Sequence, residues 1–242
     1  MIIYPAIDLR GGKCVRLYQG DYARATIYNT DPISMVKTFV ASNANWLHIV
    51  DLDAAKNPEH NQSALITELI KIGGIQVQTG GGIRTKEQVK KLLDQGAARV
   101  VIGSLSVTNP KEITEWFRLF GPEKLALSLD VVPDENKQPM IAINAWQNIT
   151  QYSLFELVKY YQVAGLCHVL CTNVTLDGTL NGPDYSLYEN LLACFPFLNL
   201  QASGGIQSLS DVKHLREKGL SGAIIGRALY ENKFTLSEVL AC

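Results

Sequence analysis

One stretch of this chain occurs twice at a fixed spacing. Gln78-Thr79-Gly80-Gly81-Gly82-Ile83-Arg84-Thr85 returns as Gln201-Ala202-Ser203-Gly204-Gly205-Ile206-Gln207-Ser208, and Gly96, Ile102 and Gly103 return as Gly219, Ile225 and Gly226. The pairs share one offset: 201 − 78, 204 − 81, 219 − 96 and 226 − 103 all give 123, in a chain of 242 residues. A constant offset of half the chain means two copies of one architectural unit, with no insertion between matched points. In each copy a Gly-Gly turn follows an apolar run and opens a helical pattern, where backbone amides and a helix N-terminus can hold a phosphate. Two such turns, related by the repeat, suit a ligand with a phosphate at each end.

The units repeated are strand–helix pairs. Apolar runs at 2–7, 46–51, 75–79, 99–103, 125–130, 167–172, 198–203 and 222–226 carry apolar residues at both parities, as parallel strands covered on both faces do. Amphipathic stretches at 32–43, 61–72, 86–95, 110–120, 153–163, 185–195, 208–218 and 235–241 read as helices. Val89, Leu92 and Leu93 fall on one helical face, for example, and Gly96 supplies the stop. No linker or low-complexity segment separates them. Eight alternating units in two matching halves predict an α/β fold, a single (β/α)8 TIM barrel over residues 1–242 with a twofold internal half-barrel repeat. The length is near the roughly 250 residues typical of that fold.

Composition excludes several classes. A net charge of −1 with scattered Lys and Arg gives no nucleic-acid footprint. No apolar run reaches the roughly 18 residues of a membrane span. The opening Met1-Ile2-Ile3-Tyr4-Pro5 lacks the basic segment of a signal peptide and reads as a strand. Five cysteines, an odd number in a chain that is 47% hydrophobic and needs no staples, read as reduced thiols in a cytoplasmic protein. Cys167 and Cys171 lack a matching Cys/His pair, so packing is expected there and no metal. No Gly-x-Gly-x-x-Gly follows the first strand, which argues against a dinucleotide.

In a barrel of this kind the site lies at the C-terminal strand ends. The first strand ends at Asp8 and the fifth at Asp130, near-equivalents in the repeat (130 − 8 = 122). Across one mouth they form a workable acid/base pair if their surroundings separate their pKa values. A single strand-end Asp more often caps a turn; the repeat and the flanking turns favour the functional reading. Thr172, at the end of the sixth strand, is placed to hydrogen-bond a catalytic carboxylate or the substrate. Asp177-Gly178 offers an acid on a flexible loop, though a bare Asp-Gly is usually a turn. His48 and His168 lie upstream of the strand ends and read as core histidines. Asp51 reads equally as a loop-orienting residue or a structural one. The phosphate reading rests on Gly81-Gly82 with Gly103-Ser104, and on Gly204-Gly205 with Gly226-Arg227. No Ser-His-Asp or Cys-His nucleophile constellation is present.

The run Pro5-Ala6-Ile7-Asp8-Leu9-Arg10-Gly11-Gly12-Lys13-Cys14-Val15-Arg16-Leu17, with Gln19-Gly20-Asp21-Tyr22 after it, resembles the opening of the phosphoribosylformimino-aminoimidazole carboxamide ribotide isomerases of histidine biosynthesis. His48-Ile49-Val50-Asp51-Leu52-Asp53, both Gly-Gly-Ile turns, Asp177-Gly178-Thr179-Leu180-Asn181-Gly182-Pro183 and Gly226-Arg227-Ala228-Leu229-Tyr230 are similar to the same family, so the resemblance runs end to end. It implies a twofold-symmetric (β/α)8 barrel and an Amadori rearrangement of an aminoaldose to an aminoketose. The substrate carries two ribose phosphates, and no cofactor or metal is needed. It implies Asp8 as the general base at ribose C2′, Asp130 as the general acid for ring opening, and Thr172 as their support. Asp177 would contact substrate, Arg84 and Trp146 would seat its two ends, Trp146 by stacking, and the loop Gly20–Thr30 would form a lid. The family expectation is a monomer. The chain departs from the family pattern at Asn173 (usually Asp), Leu176 (often Arg or Lys), and Ala145 and Ala54 (usually Gly).

Three other readings stand beside it. The cyclase subunit of imidazole glycerol phosphate synthase shares both carboxylates, but usually has a Cys-Leu-Asp first strand and Asp-Ile-Thr-Ala after the second. A bifunctional isomerase acting also on phosphoribosylanthranilate would use the same acid and base. A non-catalytic barrel that binds phosphorylated ligands would not need two facing carboxylates.

Overall fold

The computed structural model describes residues 1–242. Eight parallel strands close on themselves: β1 (Ile2–Arg10), β2 (Trp46–Asp51), β3 (Gln76–Gly80), β4 (Arg99–Ile102), β5 (Leu125–Pro133), β6 (His168–Asn173), β7 (Asn199–Ser203) and β8 (Gly222–Ile225). Each pairs with the next, β8 pairs with β1, and β6 pairs with β5, which completes a (β/α)8 barrel. Every residue of β4, β6 and β8 is buried, as strands covered on both faces require.

The helices form where the sequence says they should. Thr85 opens the helix Lys86–Asp94 with a capping box through Gln88, and Ser208 opens Leu209–Glu217 with one through Asp211. These caps are 208 − 85 = 123 residues apart. Gly96, at φ +104°, stops the first of these helices. The outer faces of the strands and the inner faces of the helices share one cluster of 51 buried apolar residues, Trp116, Phe117, Tyr161 and Tyr188 among the largest.

The barrel interior is partly polar. Gln78 and Gln201, repeat equivalents, meet on the axis, with Gln78 Nε2 donating to Gln201 Oε1 at 2.7 Å. Arg99, only 5% exposed, lies nearby with its Nη1 3.3 Å from both Gln78 Oε1 and Tyr4 Oη.

The structure corrects the eight-unit reading in two places. Residues 20–30, expected as a loop, are mostly a strand, Asp21–Asn29, paired antiparallel with Lys13–Tyr18, which itself pairs with β1. Gly11-Gly12, both at positive φ, make the two-residue turn between Arg10 and Lys13. After β5 a second hairpin, Pro139–Ile143 with Asn148–Ser153, adds to the sheet. Both hairpins stand at the C-terminal mouth. The sixth strand starts at His168, one residue later than expected, and leaves Cys167 outside it.

Candidate active site

A cavity of about 500 Å³ opens at the C-terminal mouth, within the usual range for a small-molecule site. All fifteen residues singled out above line it: Asp8, Gly20, Gly81, Gly82, Arg84, Gly103, Ser104, Asp130, Trp146, Thr172, Asp177, Gly204, Gly205, Gly226 and Arg227.

Asp8 and Asp130 project from β1 and β5, four strands apart around the ring. Asp8 is 9% exposed and accepts from Arg16 Nη1 at 2.5 Å. Asp130 accepts from Trp146 Nε1 at 2.8 Å and from Ser128 Oγ at 3.2 Å. The strand register sets Thr172 beside Asp130. Burial pushes the Asp130 carboxyl up, against the opposing pull of hydrogen bonds from Trp146, Thr172 and Ser128. Burial also pushes the Asp177 carboxyl up to about 6, with Arg16 pulling down and Asp8 and Asp130 adding repulsion. The cavity therefore holds one carboxylate paired with a cation and two whose carboxyls burial raises above the ordinary range.

The glycine turns are shaped by packing. Gly81, Gly82, Gly204 and Gly205 all have positive φ. A side chain on Gly81 would overlap the Asp51 backbone, on Gly82 the Ala54 carbonyl, and on Gly205 the Gly182 carbonyl. The amides that follow are already used. Arg84 N and Thr85 N donate to Gln88 Oε1, and Gln207 N and Ser208 N donate to Asp211 Oδ2. The capping boxes thus engage the amides at and just before each N-cap and leave the glycine turns themselves without a side-chain partner. The turns at Gly103-Ser104 and Gly226-Arg227 carry no side-chain cap, which leaves their backbone the more open of the two pairs. A side chain on Gly103 would meet only Ser128 Cβ, at 4.0 Å, whereas the Arg16 guanidinium lies directly on Gly226. Arg227 is committed to Glu231 at 2.5 Å and to the Gly178 carbonyl. Arg84 is exposed at the rim.

Trp146 lines the cavity. Its indole is already bound to Asp130 and packs against Gly20, where any side chain would strike the ring. The two hairpins thus meet over the mouth. Asn144, Ala145 and Trp146 all have positive φ, three consecutive residues in a region that disfavours side chains. Asn144 N donates to Ser104 Oγ at 2.9 Å and ties this turn to β4.

Asn173 and Leu176, two of the departures from pattern, do not line the cavity. Asn173 Nδ2 donates to Asp184 Oδ2 at 2.7 Å, and its Oδ1 accepts from Thr175. An Asp there would set two carboxylates against each other, so the amide suits this chain. Asp51 serves structure, accepting from Ala54 N and Gln62 N. His168 is a core residue at the opposite end, its Nε2 between Glu123 and Arg99. Glu123, Cys167 and His168 bring possible metal-ligand atoms within 4.8 Å of one another there, with the Arg99 guanidinium on the same imidazole nitrogen. His48, by contrast, lines the cavity. Arg16 is the residue that sequence reasoning missed. Its signal was the β-rich run 13–18 directly after Gly11-Gly12, a hairpin pattern that sets Arg16 next to the strand-end Asp8.

Fold and mouth together define a class: a closed (β/α)8 barrel with several strand-end and loop carboxylates facing one cavity. A family model described as histidine biosynthesis protein matches residues 2–235. The chain is 46% identical over 241 residues to a protein of Elusimicrobium minutum (strain Pei191), covering 100% of both chains. It is 48% identical over 241 residues to one of Actinobacillus pleuropneumoniae serotype 7 (strain AP76), covering 100% of this chain and 96% of the relative. A third relative, from Stenotrophomonas maltophilia (strain R551-3), is 43% identical over 241 residues. All three bear the name 1-(5-phosphoribosyl)-5-((5-phosphoribosylamino)methylideneamino) imidazole-4-carboxamide isomerase. The chain belongs to this family of histidine biosynthesis proteins.

Proposed function

We propose that this chain is the histidine-pathway isomerase that its relatives' name describes. It converts an aminoaldose to an aminoketose by an Amadori rearrangement, an internal exchange of oxidation state between two ribose carbons. The observation that carries the reading is the pairing of Asp8 and Asp130 on strands four apart, in one cavity with a glycine turn on either side. Asp8 removes the proton from C2′. Asp130, raised by burial, delivers the proton that opens the ribose ring, and Thr172 holds it in place. Each carboxylate contributes roughly 10²–10⁴-fold. The turns at Gly81-Gly82 with Gly103-Ser104, and at Gly204-Gly205 with Gly226-Arg227, grip the two phosphates, and that binding energy orients the reacting ribose. Arg84 at the rim and Trp146 meet the substrate ends. No cofactor enters the scheme. Five free cysteines fit a cytoplasmic location.

A second assignment of the acid is favoured by one observation: the Asp177 carboxyl lies at about 6, close to the working pH of a general acid. Turnover of the aminoaldose, followed spectrophotometrically in wild type, D8N, D130N and D177N, separates the two. Loss in D8N and D130N with residual activity in D177N supports Asp130 as the acid. Loss in D8N and D177N with residual activity in D130N transfers the role. Absence of wild-type turnover rejects the isomerase reading.

A further inference from the structure

His48 stands one interior layer below the carboxylates: it pairs with Ala6 across β1 and β2, as Val50 pairs with Asp8. It is 5% exposed and lines the cavity. Its Nδ1 lies 3.1 Å from Gln78 Nε2, and no other hydrogen bond engages the ring.

Which of these two atoms donates is decided one residue further down. Arg99 has only donors to offer, and its Nη1 is 3.3 Å from Gln78 Oε1. That contact fixes the carboxamide oxygen on the Arg99 side. Gln201 agrees: its Nε2 donates to Gln78 Oε1 at 3.2 Å, and its Oε1 accepts from Gln78 Nε2 at 2.7 Å. Gln78 therefore presents an N–H to His48, and Nδ1 accepts it. A neutral imidazole whose Nδ1 accepts carries its proton on Nε2. Burial, helped by the charge of Arg16, holds the ring neutral by lowering its pKa to about 3. The result is one N–H on a cavity-lining ring that no protein group accepts.

We propose that His48 Nε2–H is a substrate contact, donating a hydrogen bond to an oxygen of the reacting ribose, with Gln78 and Arg99 as the positioning residues that fix its tautomer. This rests on the isomerase reading. In that reaction Asp8 takes the proton from C2′, and the C2′–H electron pair becomes the C1′–C2′ double bond. The C1′–N pair returns to nitrogen. The enol then loses its O–H proton as C1′ gains one. The oxygen on C2′ thus passes from hydroxyl to carbonyl and strengthens as an acceptor on the way. A fixed neutral donor follows that change without losing its proton, and preorganised donors of this kind act mainly on kcat.

Two measurements test it. Nitrogen-15 correlation spectra of the wild-type imidazoles report the tautomer directly, and Nε2–H is expected for His48 between about pH 5 and 8. Kinetics of H48N, H48Q and Q78E report the contact. H48N removes the donor at Nε2, whereas H48Q sets an amide N–H near it. Q78E leaves His48 intact but replaces the group that holds its tautomer. H48N and Q78E are expected to lower kcat by about 10–100-fold with KM within about twofold, and H48Q to recover most of that loss. An Nδ1–H tautomer, an H48N kcat close to wild type, or equal damage in H48Q and H48N would overturn the inference while wild-type turnover keeps the isomerase reading intact. Failure of wild type to turn over removes both. If H48N does not fold, Q78E and the wild-type spectrum still decide.

Discussion

The Asp177 carboxyl gives the sharpest quantitative consequence. Its pKa is about 6 in the folded protein, against an ordinary value of 3.8. Between those values the folded state holds a proton that the unfolded chain has released. Stability therefore falls as pH rises from about 4 to about 6 and stays at the lower level above it. A rise of two units corresponds to about 3 kcal/mol if the group were fully desolvated. Asp177 is half-buried and lines a cavity that water enters, so the penalty at neutral pH is about 1–2 kcal/mol. Asp177→Asn removes the titration and keeps the shape. For a chain of this size each kcal/mol moves Tm by about 2–4 °C. The variant should melt about 2–8 °C higher, relative to wild type, at pH 8 than at pH 4, with activity reduced. Thermal unfolding by circular dichroism at both pH values measures this. An equal Tm difference at the two pH values would refute the burial argument, since the gain must shrink at pH 4, where the folded carboxyl is protonated and the unfolded one is already partly so.

Trp146→Phe removes the N–H that lowers the Asp130 carboxyl. The basic limb of the pH–rate profile should move up by roughly half to one unit if Asp130 is the acid, and an unmoved limb points to Asp177. Ala145→Gly relieves a residue held at φ +52° and should stabilise by about 1 kcal/mol, read as a rise in Tm; an unchanged or lower Tm rejects strain at that turn. Gly205→Ala drives a Cβ into the Gly182 carbonyl at φ +77°, whereas Gly11→Ala at φ +54° meets open space. The first should cost more than about 2 kcal/mol and raise KM, the second about 1, and equal losses would show that close packing is not what requires glycine at 205.

The capping boxes illustrate how a correct motif can mislead. Thr85 and Ser208, with Gln88 and Asp211 three residues on, are legible as helix starts. Their Gly-Gly turns then suggest open helix N-termini for phosphate. In the fold, Gln88 and Asp211 engage the amides at and just before those N-caps, whereas the turns at Gly103-Ser104 and Gly226-Arg227 carry no side-chain cap. Local sequence shows which groups are present, but not which are already satisfied.

By itself the sequence determined the architecture. Hydrophobic periodicity is a local property, so eight strand–helix units, their order and their bounds to within one to three residues could be read from 3.6-residue and both-parity patterns. The half-chain repeat, with Asp8 and Asp130 122 residues apart, also set these two carboxylates on opposite sides of the mouth. Three things waited for the tertiary structure. Arg16 meets Asp8 only because a two-residue turn folds the chain back on β1. Asp177 is raised because its loop is buried against the mouth, with repulsion from Asp8 and Asp130 adding to that. His48 acquires a fixed tautomer through Gln78 from Arg99, on strands that are neighbours only in the closed barrel. Each depends on desolvation and on partners distant in sequence. Ionisation and tautomer are set by surroundings, and surroundings exist only once the chain has closed.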